Sequence, residues 1–192
     1  MLVLLALPLG AARPYRVVAF GDSHTVVEAG MGGALTSSFG CPVEYVPIGI
    51  NGTTANDLLR GFAHKGPFCG SLLRVAGLAP DLVVVAFGTN ESVGRLSGGY
   101  ELVYARLLAE VCLEFPRARV VALGPPSGDI RKVASLNQVR ITQARVSRNL
   151  GVPWVDRAAI GGARQPDGVH HTMGSYRHLA SEVAKQLSAL VL

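Results

Sequence analysis

The sequence predicts an α/β fold, a three-layer α/β/α sandwich around a five-stranded, mostly parallel sheet. Five short apolar runs alternate with longer helical patterns along the chain, and this alternation is typical of βαβ units. The composition agrees, because 49% of the residues are hydrophobic and only 16% are charged. A parallel sheet covered on both faces needs such an excess of apolar residues. The 192 residues suit one domain.

The five predicted strands are short, rich in valine and bounded by Gly, Pro or Asp. In chain order they are Tyr15–Phe20, Val43–Ile48, Leu82–Phe87, Arg119–Leu123 and Val152–Val155. Right-handed crossovers between parallel strands then place helices on both faces of the sheet. The strand order 2-1-3-4-5 is common for such a fold. The sequence does not determine that order.

The predicted helices are identified by apolar residues at helical spacing and by signals at their ends. They are Val26–Phe39, a short helix opened by a capping box from Thr54 to Asp57, Glu101–Phe115, Val133–Leu150 and Ser175–Leu192. Pro116 ends the helix before it, and Gly151 suits a C-cap. Glycines at positions 30, 32 and 33 weaken the first of these helices.

Three cysteines, Cys41, Cys69 and Cys112, form no C-x-x-C pair and so do not indicate a zinc or redox site. Cys112 falls within the apolar pattern of Glu101–Phe115 and is expected to be a small core residue. An odd number of cysteines leaves at least one thiol without a partner in the chain. A bridge between Cys41 and Cys69 is an open alternative.

Residues 1–12 form an apolar segment that ends in small residues, as the apolar part of an export signal does. The segment is too short to span a bilayer, which needs ~20 residues. We expect a signal-peptide remnant, with a flexible arm as the alternative, followed by a single domain over residues 13–192. The expected location is the periplasm or the outside of the cell, with the cytoplasm as the alternative.

The net charge of +5 arises from 18 basic and 13 acidic residues that are scattered along the chain. Nucleic-acid binding usually shows a concentrated basic stripe, whereas the longest basic run here is Arg131-Lys132. We therefore expect no nucleic-acid partner, and no stable membrane insertion. The simpler interpretation of this charge is a mildly positive enzyme. The more specific interpretation is weak attraction to an anionic polymer.

Candidate site residues follow three of the predicted strands. The first strand runs into Gly21-Asp22-Ser23, which places Ser23 at a helix N-terminus, where free N–H groups favour an oxyanion. The second strand is followed by Gly52, whose N–H could point into a site. The third is followed by Asn90, whose amide can donate to an oxyanion. Turn or helix-cap chemistry explains each motif alone equally well. Glu91 is expected to orient a neighbour or to lie at the surface.

The segment Asp167-Gly168-Val169-His170 lies between the fifth strand and the last helix. An Asp three residues before a His can fold back and accept from the imidazole Nδ1–H, which leaves Nε2 free as a base. The adjacent His171 is expected to be a surface or helix-capping residue. Metal binding by His170 and His171 is a weaker alternative, because neighbouring residues rarely converge on one ion and no H-E-x-x-H motif is present.

Together these groups supply a hydroxyl nucleophile, a base with its orienting acid, and oxyanion donors, which are the parts that acyl transfer needs. All of them follow strands, at the sheet edge where this architecture builds its sites. The sequence contains no G-x-S-x-G, so the nucleophile elbow of the α/β-hydrolases is not predicted. It also contains no Walker A motif and no complete G-x-G-x-x-G.

In this combination of motifs the chain resembles the SGNH hydrolases of the GDSL esterase/lipase superfamily. The resemblance rests on Gly21-Asp22-Ser23, Gly52, Gly88-Thr89-Asn90 and Asp167-x-x-His170, which stand in the family's order. It implies a flavodoxin-like fold, with Ser23 as the nucleophile, His170 as the general base and Asp167 as its partner. The Ser23 N–H, the Gly52 N–H and the Asn90 side chain are implied to form the oxyanion hole.

Finer features are similar to the branch that contains peptidoglycan O-acetylesterases and related carbohydrate esterases. These features are His24, where many members have Leu, Glu91 after Asn90, and the block from Asp156 to Gly162. Ser175 departs from the family pattern, which commonly has a glycine there.

The resemblance therefore implies a serine esterase that removes a short acyl group, most simply acetyl, through an acyl-enzyme. Its expected substrate is a small-molecule or polysaccharide ester, on a carbohydrate or peptidoglycan, and no metal or organic cofactor is expected. A GDSL lipase or thioesterase and an O-acyltransferase are alternatives that use the same residues. A non-enzymatic cell-surface binding module is a further alternative.

Overall fold

A computed structural model describes residues 13–27, 30–93, 99–127 and 133–192 of the chain. The predicted α/β sandwich is confirmed, with a five-stranded sheet at its centre. The strands are β1 (Tyr15–Gly21), β2 (Val43–Gly49), β3 (Leu82–Ala86), β4 (Arg119–Leu123) and β5 (Trp154–Val155). The segment 1–12, for which the sequence predicts an export signal or arm, lies outside the described residues.

The strands lie in the order β2-β1-β3-β4-β5, and every neighbouring pair is parallel. The carboxyl ends of the three strands that precede candidate site residues therefore meet, because Gly21 of β1 pairs with Gly49 of β2 and with Ala86 of β3. In the sheet, β2 lies on one side of β1 and β3 lies on the other, so the order of the strands reverses direction at β1. This change of direction creates the crevice in which such sheets bind ligands.

Eight α-helices are present among the described residues. They are α1 (Ser23–Val26), α2 (Met31–Phe39), α3 (Ala55–Phe62), α4 (Cys69–Ala76), α5 (Thr89–Val93), α6 (Tyr100–Glu114), α7 (Val133–Asn149) and α8 (Met173–Val191). The capping box before α3 is confirmed, since the Asp57 carboxylate accepts from the Thr54 N–H at 2.9 Å. Helices α4 and α5 are short and were not predicted as helices from the sequence.

Two predicted elements differ from the structure. Val26–Phe39 is not one helix, because Gly30 adopts a left-handed φ of 86° and α2 begins only after it. The last strand is shorter than Val152–Val155, because Pro153 lacks an N–H and the strand pairs with β4 only through Trp154 and Val155. The other strands end within one residue of their predicted bounds.

Helices cover both faces of the sheet because its strands carry apolar side chains on both faces. Val17 and Ala19 of β1 share a core with α2 and α8, whereas Val18 and Phe20 share the opposite core with α3, α6 and α7. Fully burying one such Val or Phe side chain stabilises the fold by about 1.5–3 kcal/mol. The two cores together hold the sheet, and its carboxyl edge, in a fixed position.

The prediction that Cys112 is a core residue is wrong, because the residue is exposed. Leu108 and Val111 of α6 are buried, and one further residue turns a helix by 100°, which carries Cys112 out of the core. All three cysteines are free in the structure, so Cys41 and Cys69 form no bridge. Within the described residues, none of the helices combines the length and apolar character that a membrane span requires.

Candidate active site

Ser23 lies at the carboxyl end of β1, as the first residue of α1. Asp22 caps this helix in an extended conformation, and its carboxylate accepts from the His24 N–H at 2.9 Å. The cap ends the strand abruptly and starts the helix within one residue. Ser23 is thereby held on the surface of the turn at the sheet edge.

Two glycines allow α1 to pack directly against the strand ends. A Cβ atom on Gly21 would lie 2.0 Å from Thr25 Oγ1, and one on Gly49 would lie 2.6 Å from the Val26 backbone nitrogen. Neither distance is possible for a real side chain, so these positions require glycine. The sequence motif before Ser23 therefore has a packing role as well as a turn role.

Asp167 and His170 are joined as the sequence predicts. The Asp167 Oδ2 atom lies 2.7 Å from His170 Nδ1, and Oδ1 accepts from the backbone N–H groups of Val169 and His170, each at 2.9 Å. The hydrogen bond from His170 and these two backbone bonds lower the pKa of Asp167 to about 2. The carboxylate is therefore ionised at neutral pH and can only accept hydrogen bonds.

This ionised acceptor determines which ring nitrogen of His170 carries the proton. Nδ1 must be the donor toward Asp167, so the neutral ring presents the lone pair of Nε2 on its other side. That Nε2 atom lies 3.0 Å from Ser23 Oγ. Ser23, His170 and Asp167 thus form one hydrogen-bonded chain although 147 residues separate the serine from the histidine.

Arg164 attaches the turn that carries Asp167 and His170 to the rest of the sheet edge. Its guanidinium donates to the Gly168 carbonyl at 3.3 Å and to Ser127 Oγ, in the segment after β4, at 2.6 Å. Further backbone bonds close the turn, including Gln165 N–H to the His170 carbonyl at 2.8 Å. No sequence pattern indicates this role of Arg164, since its Ser127 partner lies 37 residues away in the chain.

The groups predicted as oxyanion donors lie on the segments after β2 and β3. Gly52 has a φ of +75°, in the left-handed region that favours glycine. Asn90, at the start of α5, donates one amide N–H to the Thr53 carbonyl at 2.8 Å. Within the described part of the chain, the N–H groups of Ser23 and Gly52 donate to no protein acceptor. These donors, and the second amide N–H of Asn90, are available to a ligand.

Glu91, for which the sequence left two alternatives, orients a neighbour. Its Oε1 atom accepts from the Ala55 N–H at the start of α3, at 2.7 Å. Burial raises the pKa of this carboxyl to about 7, although the hydrogen bond from Ala55 favours the ionised form.

Two further histidines lie buried beside His170. His24 and His171 are each only 1% exposed, and the His24 ring lies 5.3 Å from the His170 ring, centroid to centroid. The Tyr176 hydroxyl is 2.9 Å from His24 Nδ1. Burial, with a contribution from nearby cations, lowers the pKa of His24 to about 2 and also lowers the pKa of His171. Both rings are therefore neutral at pH 7.

The prediction that His171 lies at the surface or caps a helix is wrong. An antiparallel bridge between Arg164 and His171 closes the turn. The imidazole of His171 packs 5.6 Å from the Tyr176 ring, centroid to centroid. Gly162 lies against the same ring, since a Cβ there would be 3.0 Å from His171 Nδ1. The adjacent His170 instead contacts Asp167 and Ser23.

We expect His24→Leu to lose less stability on acidification than the wild-type protein. The pKa of His24 is about 2 in the folded protein, whereas an unfolded imidazole has a pKa of ~6.5. Only the unfolded state therefore binds a proton here as the pH falls below ~6.5, which removes about 2 kcal/mol of stability between pH 7 and pH 5. Leucine carries no such proton.

Urea unfolding at pH 7, 6 and 5 measures this difference between the two proteins. The comparison is of pH slopes, because the loss of the contact with Tyr176 lowers the stability of the variant at every pH. His178→Leu is the matched control, since His178 is exposed on α8. Equal slopes for His24→Leu and the wild-type protein would contradict the neutral, buried state of His24.

Comparison with known proteins finds one matching family and several solved structures of similar fold. The model of the GDSL-like lipase/acylhydrolase family matches residues 19–178. A solved peptidoglycan O-acetylesterase is similar at 14% identity and a TM-score of 0.79, over 95% of this chain and 93% of that one. The aryl esterase of M. smegmatis is similar at 19% identity and a TM-score of 0.70, over 92% and 99% of the two chains.

A carbohydrate acetylesterase from Sinorhizobium meliloti is similar at 17% identity and a TM-score of 0.72, again over 92% of this chain and 99% of that one. At these identities the solved structures show a shared fold. No curated protein matches the chain.

Proposed function

Because the chain belongs to the GDSL-like lipase/acylhydrolase family, whose members hydrolyse esters, we propose that it hydrolyses short-chain esters and removes an acetyl group from a carbohydrate or peptidoglycan. Ser23 is the proposed nucleophile, His170 the general base and Asp167 the residue that orients the base. The observation that carries this assignment is the 3.0 Å distance between His170 Nε2 and Ser23 Oγ. This distance lies within the range at which a base accepts a hydroxyl proton.

In the first half of the reaction, Ser23 Oγ forms a bond to the ester carbonyl carbon while its proton passes to His170 Nε2. The imidazolium formed is stabilised by the ionised Asp167 on Nδ1. The tetrahedral intermediate then collapses as the bond to the alcohol oxygen breaks. His170 returns the proton to this leaving oxygen, which departs as the free hydroxyl of the carbohydrate and leaves an acyl-Ser23 ester.

In the second half, a water molecule takes the place of the alcohol. His170 Nε2 accepts a proton from this water while its oxygen bonds to the acyl carbon. Collapse of the second tetrahedral intermediate breaks the bond to Ser23 Oγ, which recovers its proton from His170. The products are the free acid and the original enzyme, and one water molecule is consumed in each cycle.

The negative oxygen of both intermediates is assigned to the donors around Ser23. These donors are the N–H groups of Ser23 and Gly52, which have no protein acceptor among the described residues, and the second amide N–H of Asn90. Fixed donors of this kind stabilise charge only where it develops, so they accelerate the reaction rather than tighten substrate binding.

Three observations support a polymeric substrate. The side chains of His170 and Asp167 are 31% and 46% exposed, so the triad lies at an open surface that an ester on a large molecule can approach. The net charge of +5 favours approach to an anionic polymer. The similarity in fold to a peptidoglycan O-acetylesterase and a carbohydrate acetylesterase supports the same substrate class.

A chain-length series of p-nitrophenyl esters tests the acyl preference. We expect the highest kcat/KM for acetate and a steady fall toward decanoate, and a maximum at a long chain would indicate a lipase or thioesterase instead. Acetate release from O-acetylated peptidoglycan and from acetylated xylan then compares the two carbohydrate classes. Product analysis with an added sugar acceptor distinguishes hydrolysis from acyl transfer.

A further inference from the structure

The Glu91 side chain forms a hydrogen bond with a helix other than the one that carries it. Glu91 lies on α5, directly after Asn90, and its Oε1 atom accepts from the backbone N–H of Ala55 at 2.7 Å. Ala55 is the first residue of α3. The N–H groups in the first turn of a helix have no partner within the helix, and Glu91 satisfies one of them from the next strand-to-helix connection.

The preceding residue, Asn90, makes a similar hydrogen bond to the same segment. Its amide donates to the Thr53 carbonyl at 2.8 Å. An amide has two N–H donors in one plane, so this bond restricts the directions in which the second N–H can point. Consecutive residues of α5 therefore hold the backbone at positions 53 and 55, immediately after Gly52.

Gly52 lies in a turn that Thr53 closes, because the Thr53 N–H and hydroxyl both donate to the Ile50 carbonyl, at 3.3 and 2.7 Å. Gly52 is exposed at the tip of the connection after β2, and nothing lies within 4 Å of the position its Cβ would take. The connection is held before the tip, where the Ile50 N–H donates to the Gly21 carbonyl at 3.1 Å. After the tip, Asn90 holds the Thr53 carbonyl and Glu91 holds the Ala55 N–H, so these contacts from α5 set where the turn, and with it the Gly52 N–H, lies relative to Ser23.

We propose that Glu91 is a positioning residue of the oxyanion hole, which sets the Gly52 N–H and the Asn90 amide relative to Ser23 by holding the start of α3. This inference rests on the proposed esterase function. Glu91 does not touch the substrate. Its effect passes through the bond to Ala55, and it acts on the stabilisation of the transition state.

The residue's chemistry suggests an informative set of variants. Glu91→Gln keeps an acceptor oxygen for the Ala55 N–H and removes the charge, whereas Glu91→Ala removes the acceptor. Ala55→Pro removes the donor instead, and the Cδ atom of its ring displaces the Glu91 carboxylate from its contact with the backbone at position 55. Proline is tolerated at the first position of a helix, and the preceding Thr54 is already extended, with a φ of −119° and a ψ of 170°, as a residue before proline prefers.

Steady-state kinetics with p-nitrophenyl acetate test the proposal in the full chain. Glu91→Ala and Ala55→Pro should each lower kcat by about 10²-fold, the effect of a misplaced catalytic group, with KM changed less than threefold. Glu91→Gln should lose less than tenfold. The rate of fluorophosphonate labelling of Ser23 should fall in parallel, because that reaction also places negative charge on an oxygen in the hole. Glu101→Ala, an exposed change on α6, is the control.

The double variant Ala55→Pro/Glu91→Ala distinguishes positioning from separate structural damage. Because both changes break the same bond, its kcat should be no lower than that of the worse single variant. Multiplicative losses would overturn the proposal, and so would a full kcat in Glu91→Ala or in Ala55→Pro. If the wild-type protein hydrolyses no ester and Ser23 is not labelled, the proposed function fails first, and this role of Glu91 fails with it.

Discussion

Ser23→Ala is expected to lower kcat for p-nitrophenyl acetate by about 10⁶-fold, the loss that follows removal of the nucleophile in serine hydrolases. The expectation follows from the 3.0 Å approach of His170 Nε2 to Ser23 Oγ. Without that hydroxyl no acyl-enzyme forms, and His170 has only water to activate. Folding should be preserved, because the cap of α1 is made by Asp22 and the backbone, and the Ser23 side chain takes no part in it.

Two measurements establish this result. The thermal midpoint of Ser23→Ala should match that of the wild-type protein, and mass spectrometry should find a fluorophosphonate adduct on the Ser23 peptide of the wild-type protein alone. Ser71→Ala, on α4, is the matched control and should keep full activity. A variant within tenfold of wild-type kcat would remove Ser23 from the mechanism. A wild-type protein that takes no label would favour a binding module.

The fold was largely predictable because its signals are local. The bounds of β4 follow directly from the apolar run Arg119–Leu123, and the capping box at Thr54 and Asp57 follows from four consecutive residues. The strand order was not predictable, since pairing of β1 with both β2 and β3 joins residues far apart in the chain. Cys112 shows the limit of a periodic pattern, because a position at the edge of an apolar stripe can face either way.

The candidate site was predictable for residues whose place follows from a strand end. Ser23 and Asn90 come directly after strands, and Asp167 reaches His170 within one turn. The residues that support them were not predictable in this way. The bond from Arg164 to Ser127 spans 37 residues and joins two segments without a regular pattern.

The burial of His24 was also not predictable from the sequence. Its neighbour Ser23 suggests a surface position, but α1 packs so closely on the strand ends that one side of it faces the interior. A buried neutral ring next to His170 places no additional positive charge beside the base. The imidazolium that forms during the proposed reaction therefore has the ionised Asp167 as its partner and meets no charged histidine at His24.

Asp167→Asn is expected to lower kcat by about 10⁴-fold, because it reverses the hydrogen bond that orients the base. The backbone N–H groups of Val169 and His170 both donate to Oδ1, each at 2.9 Å. In the variant they will hold the amide oxygen in that position, so the amide NH₂ takes the place of Oδ2 and faces His170 Nδ1. Nδ1 must then accept, and the proton of the neutral ring moves to Nε2.

A ring with its proton on Nε2 cannot accept the proton of Ser23, although every heavy atom stays in place. Nitrogen-15 NMR of the imidazole should show the change directly, with Nδ1–H in the wild-type protein and Nε2–H in Asp167→Asn. Asp167→Ala forces neither tautomer and should lose less activity than the asparagine variant. Glu182→Gln, which removes an exposed carboxylate paired with Lys185 on α8, should behave as wild type. A near-normal kcat in Asp167→Asn with Nδ1–H retained would show that the orientation of His170 does not depend on this carboxylate.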